Sequence, residues 1–187
     1  EIRAMNAGGE KFRVSSVSYI HPLFLKKVKN WFDAICPVIS RYTVSRGGNV
    51  AFVQIDNEIG GIHHWFGSID YNPVSMGFGR KGGRFPAYLE HKYGDINRLN
   101  CLYKTGFLSF ESVSCVRAGS LSSMTEQLRH KDYFKFYLST IAEYGKILAE
   151  MIRSHGIDVP LIHNSANPVM NSWFSGMAEE LNGDFIL

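Results

Sequence analysis

The stretch Val50-Ala51-Phe52-Val53-Gln54-Ile55-Asp56 limits the possible folds more than any other part of the chain. It is short, nearly continuous in apolar and β-branched residues, and bounded by Ser45-Arg46-Gly47-Gly48-Asn49 before it and Asn57-Glu58-Ile59-Gly60-Gly61 after it. That is how a strand covered on both faces reads, and such strands belong to parallel sheets. Parallel neighbours need crossovers of a dozen or more residues, usually helical. The chain supplies them. Tyr19 to Tyr42 places Leu25, Val28, Phe32, Ile35 and Ile39 on one helical face, with Pro22 in the first turn and Pro37 expected to kink or end the helix. Lys131 to His155 repeats the pattern with Phe134, Leu138, Ile141, Ile147, Leu148 and Met151, closed by Gly156. Shorter helices fit Phe85 to Tyr93 and Asp95 to Tyr103, the second with Asp95 as its cap. Two more strands are expected at Val159 to His163 and Asp184 to Leu187, with a helix at Ser172 to Leu181 between them. The order predicts an α/β fold of parallel βαβ units.

Two architectures use such units, the open doubly wound sheet and the closed (β/α)8 barrel, and both carry their sites at the carboxyl ends of the strands. No Gly-x-Gly-x-x-Gly follows a strand and no Walker-type Gly-Lys-Ser/Thr occurs, so nucleotide-binding open sheets lose support. The (β/α)8 TIM barrel is favoured. Such a barrel takes about 250 residues, whereas this sequence has 187 and shows three clear strands. We therefore expect residues 1–187 to be part of one barrel domain, about strands four to six. The remainder is expected from the same or a complementary chain. Expressed alone, the segment is expected to associate or remain partly unfolded, because open sheet edges and an uncovered apolar face would be left.

Composition narrows the function. A hydrophobic fraction of 45%, a charged fraction of 20% and a mean hydropathy of -0.10 fit a globular chain and exclude fibrous or disordered classes. No run approaches the roughly 18 to 20 apolar residues of a membrane span. The 20 Lys and Arg against 17 Asp and Glu are scattered, so nucleic acid is not an expected partner. Cys36, Cys101 and Cys115 are too few and too far apart for a disulfide framework or a four-cysteine zinc site, and read as core thiols. No cofactor is indicated, and compartment and homo-oligomerisation stay open. Aromatic residues reach 13%, a supply of flat faces that suits sugar clefts and core packing alike.

Glu58 is the first candidate for chemistry. It stands just past a strand end, where a carboxyl is partly desolvated and suited to donate a proton near neutral pH. Asn57 beside it can hydrogen-bond a substrate hydroxyl. The plainer alternative is that Glu58 caps the next segment or pairs with an Arg. The stretch from Gly61 to Gly83, rich in Gly, His and aromatics, is too long for a simple connector. Within it His63 and His64 lack companions at ligand spacing, so no metal is expected, and they read as surface or sugar-contacting histidines. Trp65 can stack on a sugar ring or pack within the loop. Asn164, at the end of a later strand, can face substrate or satisfy turn backbone. His163 before it is a weaker candidate that also suits a core position. Glu111, Glu126, Glu143, Glu150, Glu179 and Glu180 fall in helices or their approaches and read as solvated faces.

The wider context supports one of these readings. Gln54-Ile55-Asp56-Asn57-Glu58-Ile59-Gly60 closely resembles the fourth-strand motif of retaining β-galactosidases of glycoside hydrolase families 42 and 35, in which the Glu of Asn-Glu is the general acid/base. Tyr88-Leu89-Glu90-His91-Lys92-Tyr93-Gly94-Asp95-Ile96-Asn97-Arg98-Leu99-Asn100 looks like the Lys-Tyr-Gly-x-Ile-x-x-Leu-Asn segment of family 42, and Phe107-Leu108-Ser109 resembles its Phe-Trp-Ser. Tyr133 onward, through Pro160-Leu161-Ile162-His163-Asn164, is similar to that family's next helix and strand, while Trp31-Phe32 and Gly47-Gly48-Asn49 are similar to family 35. The likeness covers nearly the whole chain.

The resemblance implies an exo-acting enzyme that releases terminal β-galactose from a carbohydrate substrate by double displacement. It makes Glu58 the acid/base and puts Asn164 on the substrate side, where Asn57 and Trp65 are further candidates and His163 a weaker one that better suits the core. Family 42 often holds a zinc through cysteines near this loop, and Gly61 to Gly83 contains none. The family's nucleophile is a Glu on a later strand, so it is expected beyond the end of this chain, and the isolated segment is expected to be inactive. Alternatives are a retaining glycosidase acting on a mannoside, arabinoside or glucoside, or a non-catalytic carbohydrate-binding or structural segment.

Overall fold

The computed structural model describes residues 2–13, 16–61, 63, 69–116, 121–164 and 185–186. Among them stand five α-helices, α1 (Pro22–Ile39), α2 (Pro73–Met76), α3 (Arg84–Tyr93), α4 (Ile96–Tyr103) and α5 (Met124–Ser154), and three strands, β1 (Val53–Asn57), β2 (Leu161–Asn164) and β3 (Phe185–Ile186). The strands form one parallel sheet in the order β1-β2-β3, as expected for successive βαβ units. The expected helix at 172–181 lies outside the described residues. No helix of the described residues is long and apolar enough to cross a membrane.

Boundaries differ from the expected ones for local reasons. The strand expected at Val159 begins at Leu161, because Pro160 has no N–H for the ladder and contributes only its carbonyl, which accepts from Val53 N at 3.0 Å. The strand expected at Val50 begins at Val53, since Val50 is engaged earlier by Tyr42 O and Val44 N. Among the described residues β1 is covered on one face. Ile55 is buried under a face lined by Phe24, Val28 and Phe32 of α1 and Tyr144 and Leu148 of α5, while Phe52, just before the strand, is 57% exposed. The long helix starts at Met124, seven residues before the expected Lys131. Ser123 and Glu126 form a reciprocal cap, Glu126 N donating to Ser123 Oγ at 3.2 Å and Ser123 N to Glu126 Oε2 at 2.9 Å. Asp95 stands at the cap position of α4 without making a side-chain cap bond.

The chain divides into two compact units, 1–18 with 66–137, and 19–65 with 138–187, so α5 contributes to both. In the first, the antiparallel bridges Arg3 to Val17 and Met5 to Lys11 form an N-terminal hairpin. Its core is aromatic. Tyr133 stacks on Tyr71 with ring centres 4.3 Å apart, and Phe85 meets Tyr133 edge to face at 5.2 Å. Asp132, 1% exposed, accepts from Lys92 Nζ and from the hydroxyls of Tyr93 and Tyr103. Burial first, and then this hydrogen bonding, push both tyrosine hydroxyls far up in pKa. The second unit holds the sheet, α1 and the end of α5. Its core includes Ile20, Phe32, Cys36, Ile55, Tyr144, Leu148, Ile152, Val159 and Leu161. Of the cysteines expected in the core, Cys36 is buried and Cys115 partly so, whereas Cys101 lies on the exposed face of α4.

Candidate active site

The candidate site lies where β1 ends, in the second unit. The ladder pairs Val53 with Leu161 and Gln54 with Ile162, then slips by one residue to pair Asn57 with Asn164. An extra residue of this kind twists a strand locally and re-aims the residues after it, a device common beside active sites. Glu58 comes next, half-buried, at φ 49°. Left-handed backbone costs a residue with a Cβ about 1–2 kcal/mol, so the surroundings must hold it there.

Three successive amides show how. Glu58 N donates to Asn164 Oδ1 at 3.1 Å, Ile59 N to His163 Nε2 at 3.1 Å, and Gly60 N to Tyr19 Oη at 3.3 Å. The turn closes when Gly61 N donates to Glu58 O at 2.8 Å. Asn164 also donates from Nδ2 to Asn57 Oδ1 at 3.1 Å and accepts from Gln54 Nε2 at 3.0 Å. Its amide is thus joined to three protein partners. Asn57 is exposed, and Glu58 beside it is the half-buried carboxyl of the strand end.

Beneath the turn lies a layer to which no local sequence pattern points. Tyr144 donates to Asp56 Oδ2 at 2.9 Å, and Asp56 Oδ1 accepts from Asn57 N at 2.7 Å. Burial, followed by the Asp56 charge, drives the Tyr144 hydroxyl far up in pKa. The Tyr19 ring lies between, 4.9 Å from Tyr144 and 4.5 Å from His63. His63 is 0% exposed, so the surface or sugar-contacting position expected for it is corrected to a buried one. His163 is also buried. Desolvation lowers its pKa against an opposing pull from Asp56, which favours the neutral imidazole whose Nε2 accepts from Ile59 N.

Trp65 and His64 lie outside the described residues. Among those that are described, no group of three or more His, Cys, Asp and Glu could hold a metal ion. Among the described residues no other glutamate lies on β1 or in the turn after it. Glu111 sits in a short 3-10 turn, Glu126 caps α5, Glu143 and Glu150 lie along α5, and Glu179 and Glu180 fall outside the described residues. The part of the 61–83 stretch that is described carries a second buried carboxyl that composition alone does not flag. Asp70, 1% exposed, accepts from Met5 N and Asn72 N at 2.9 Å each and from the Ser18 hydroxyl. It ties the N-terminal hairpin to α2. A cap motif, Asp-x-Asn-Pro, is the legible signal for it.

Known proteins give this geometry a context. The chain is 28% identical over 95% of its length to a β-1,2-glucosyltransferase of Ignavibacterium album, of which it covers 23%. It is 29% identical over 78% of its length to an exo-β-D-glucosaminidase of Thermococcus kodakarensis, of which it covers 18%. It therefore spans about a quarter or less of the length of these curated relatives. In three dimensions it is similar to the crystal structure of a β-galactosidase from Bacillus circulans sp. alkalophilus, with a TM-score of 0.63 at 15% identity over 88% of this chain and 23% of that one. The catalytic domain of a β-amylase from Paenibacillus polymyxa matches with a TM-score of 0.60 at 13% identity, over 98% of this chain and 50% of that one. Both likenesses show the fold, a segment of a (β/α)8 barrel. The family model described as β-galactosidase matches residues 1–184, and with it the chain belongs to glycoside hydrolase family 42.

Proposed function

We propose that this segment supplies the acid/base side of a retaining β-glycosidase that releases terminal β-galactose, with Glu58 as the acid/base and Asn57 beside the substrate. The observation that carries the reading is Glu58 at the carboxyl end of a parallel strand, held in a left-handed turn by three side chains. A carboxyl at this end of a barrel strand is where such folds place their chemistry. In the first half-reaction Glu58 gives its proton to the leaving oxygen while a second carboxylate attacks the anomeric carbon. In the second half-reaction the ionised Glu58 takes a proton from water as that water displaces the enzyme carboxylate. Retention requires the two carboxyl groups about 5–5.5 Å apart. We place the nucleophile on another barrel strand, outside this segment. Trp65 remains a proposed stacking face for the sugar.

A second reading concerns the acceptor. The Ignavibacterium relative, which matches 95% of this chain, is named a glucosyltransferase. The same acid/base then serves a sugar hydroxyl in place of water, with the rest of the chemistry unchanged. One experiment separates these outcomes. The full-length protein is incubated with 4-nitrophenyl β-galactoside, β-glucoside and β-glucosaminide, with and without a free sugar acceptor, and proton NMR follows the first product. Early β-configured galactose supports the proposal. An early α-anomer refutes retention, a new β-glycoside formed in preference to free sugar selects transfer, and turnover of another glycoside alone moves the specificity.

A further inference from the structure

We infer that His163 and Tyr19 are positioning residues that aim Glu58, each by accepting a backbone N–H of the turn after it. The inference rests on the acid/base reading above and adds residues that act through Glu58 without touching substrate.

The β1 ladder ends at the Asn57–Asn164 pair, so the amides of residues 58, 59 and 60 have left the sheet. Ile59 is 1% exposed and Gly60 is buried as well. Water is excluded from them, and a buried N–H without an acceptor costs about 1–3 kcal/mol. The fold meets the need with side chains. His163 Nε2 takes Ile59 N and Tyr19 Oη takes Gly60 N, while Asn164 takes Glu58 N. His163 and Asn164 are adjacent on β2, where successive side chains leave opposite faces of the strand. One strand end therefore grips two consecutive amides of the turn from different directions.

Glu58 sits at φ 49°, a conformation with no stability of its own. Loss of either acceptor lets the turn relax toward ordinary backbone, which moves the carboxyl off the line to a leaving oxygen. An acid 1 Å out of place costs about 10²-fold in rate where its proton is needed. The acceptors are themselves fixed. The Tyr19 ring packs between His63 and Tyr144, and Tyr144 is anchored on Asp56, whose other oxygen holds Asn57 N. Burial favours neutral His163 beside the Asp56 charge, so its lone pair stays available.

The test uses the full-length protein with Tyr19→Phe, His163→Leu and His163→Gln. Tyr19→Phe keeps the ring stack, and His163→Gln keeps an acceptor. The kcat/KM, which reports the glycosylation step alone, is compared for methyl β-galactoside, which needs protonation, and 4-nitrophenyl β-galactoside, which needs little. Hydrogen exchange of peptides covering residues 58–61 is measured in parallel. We expect Tyr19→Phe and His163→Leu to lose about 10²-fold on the methyl glycoside with little change on the aryl glycoside. Their 58–61 amides should exchange faster, and His163→Gln should restore both readouts. An equal loss on the two substrates, or unchanged exchange at 58–61, overturns the inference, because a merely structural role scales both rates together. If His163→Leu does not fold, Tyr19→Phe and His163→Gln decide alone. Glu58→Ala serves as the reference. If it is selective against the methyl glycoside and these variants are not, the positioning role alone falls; if it too slows both equally, the acid/base reading falls and takes the positioning role with it.

Discussion

Replacing Asp70 with Asn should stabilise the protein at pH 7.5 and leave it unchanged near pH 4. Asp70 is buried, and desolvation raises its pKa to about 6 despite hydrogen bonds from Ser18, Met5 N and Asn72 N that pull the other way. The rise from 3.8 is about two units, worth about 3 kcal/mol at roughly 1.4 kcal/mol per unit. A folded pKa above the unfolded one means that the folded state binds more protons between those two values. Its contribution is therefore full below about pH 4 and lost as pH rises through 6. The Asn amide reproduces the neutral form. Its Oδ1 can still accept the two backbone N–H groups, and its NH2 can donate to Ser18 Oγ. That hydroxyl then donates onward to Ser75 Oγ at 2.5 Å, and Ser75 Oγ to Asn72 Oδ1 at 3.4 Å. At about 2–4 °C per kcal/mol for a chain of 187 residues, up to about 6–12 °C in Tm is expected at pH 7.5. Thermal melts of Asp70→Asn and the parent at pH 4 and 7.5 measure it. Equal destabilisation of the variant at both pH values would show that the three donors outweigh desolvation, and the reasoning would be wrong.

Asp132→Ala strands Lys92 and the hydroxyls of Tyr93 and Tyr103 in the first unit, and should cost about 3–5 kcal/mol in urea unfolding; a cost below about 1 kcal/mol would mean that water replaces the carboxylate there. Gly83→Ala places a Cβ against the Gly77 carbonyl across the turn before α3, and should lower stability by about 1–3 kcal/mol in the same assay, with no loss contradicting the tight fit. His163, with its pKa lowered by burial, contributes stability that is full above about pH 6.5 and lost as pH falls through its folded value. His163→Gln should therefore flatten the acid side of a pH–stability curve, and an unchanged acid side would assign that loss to other groups.

The strand order is legible in the sequence because strand and helix periods alternate with enough chain between strands for parallel crossovers, and the three parallel neighbours come from that alone. Glu58 is legible because it stands after a strand and is framed by Asn57 and Gly60-Gly61. Its setting is not. A left-handed φ at a glutamate, a slipped register between Gln54 and Asn57, and acceptors drawn from Tyr19, His163 and Asn164 depend on bringing together residues that are 41, 104 and 106 positions apart. No local pattern carries that. Asp56 reads as the last residue of a strand, while its role as an anchor for Tyr144 arises only once α5 lies over β1. The start of α5 is in principle readable, since Ser123-Met124-Thr125-Glu126 spells a capping box, but the apolar stripe begins later and sets the expected boundary. His63 misleads for the opposite reason. A polar residue in a Gly-rich stretch suggests solvent, whereas His63 is buried with its ring packed 4.5 Å from that of Tyr19.

The most direct test of Glu58 is azide rescue of Glu58→Ala in the full-length protein with 2,4-dinitrophenyl β-galactoside. This substrate forms the glycosyl-enzyme without protonation, which leaves the second half-reaction starved of a base. Azide needs no base and can displace the enzyme carboxylate from the same face as water does. The account predicts that turnover rises with azide concentration and that the product is β-galactosyl azide, with no such acceleration in the parent enzyme. An α-configured azide, or a variant whose turnover is indifferent to azide and equally slow on activated and unactivated substrates, would contradict the assignment of Glu58 as the acid/base.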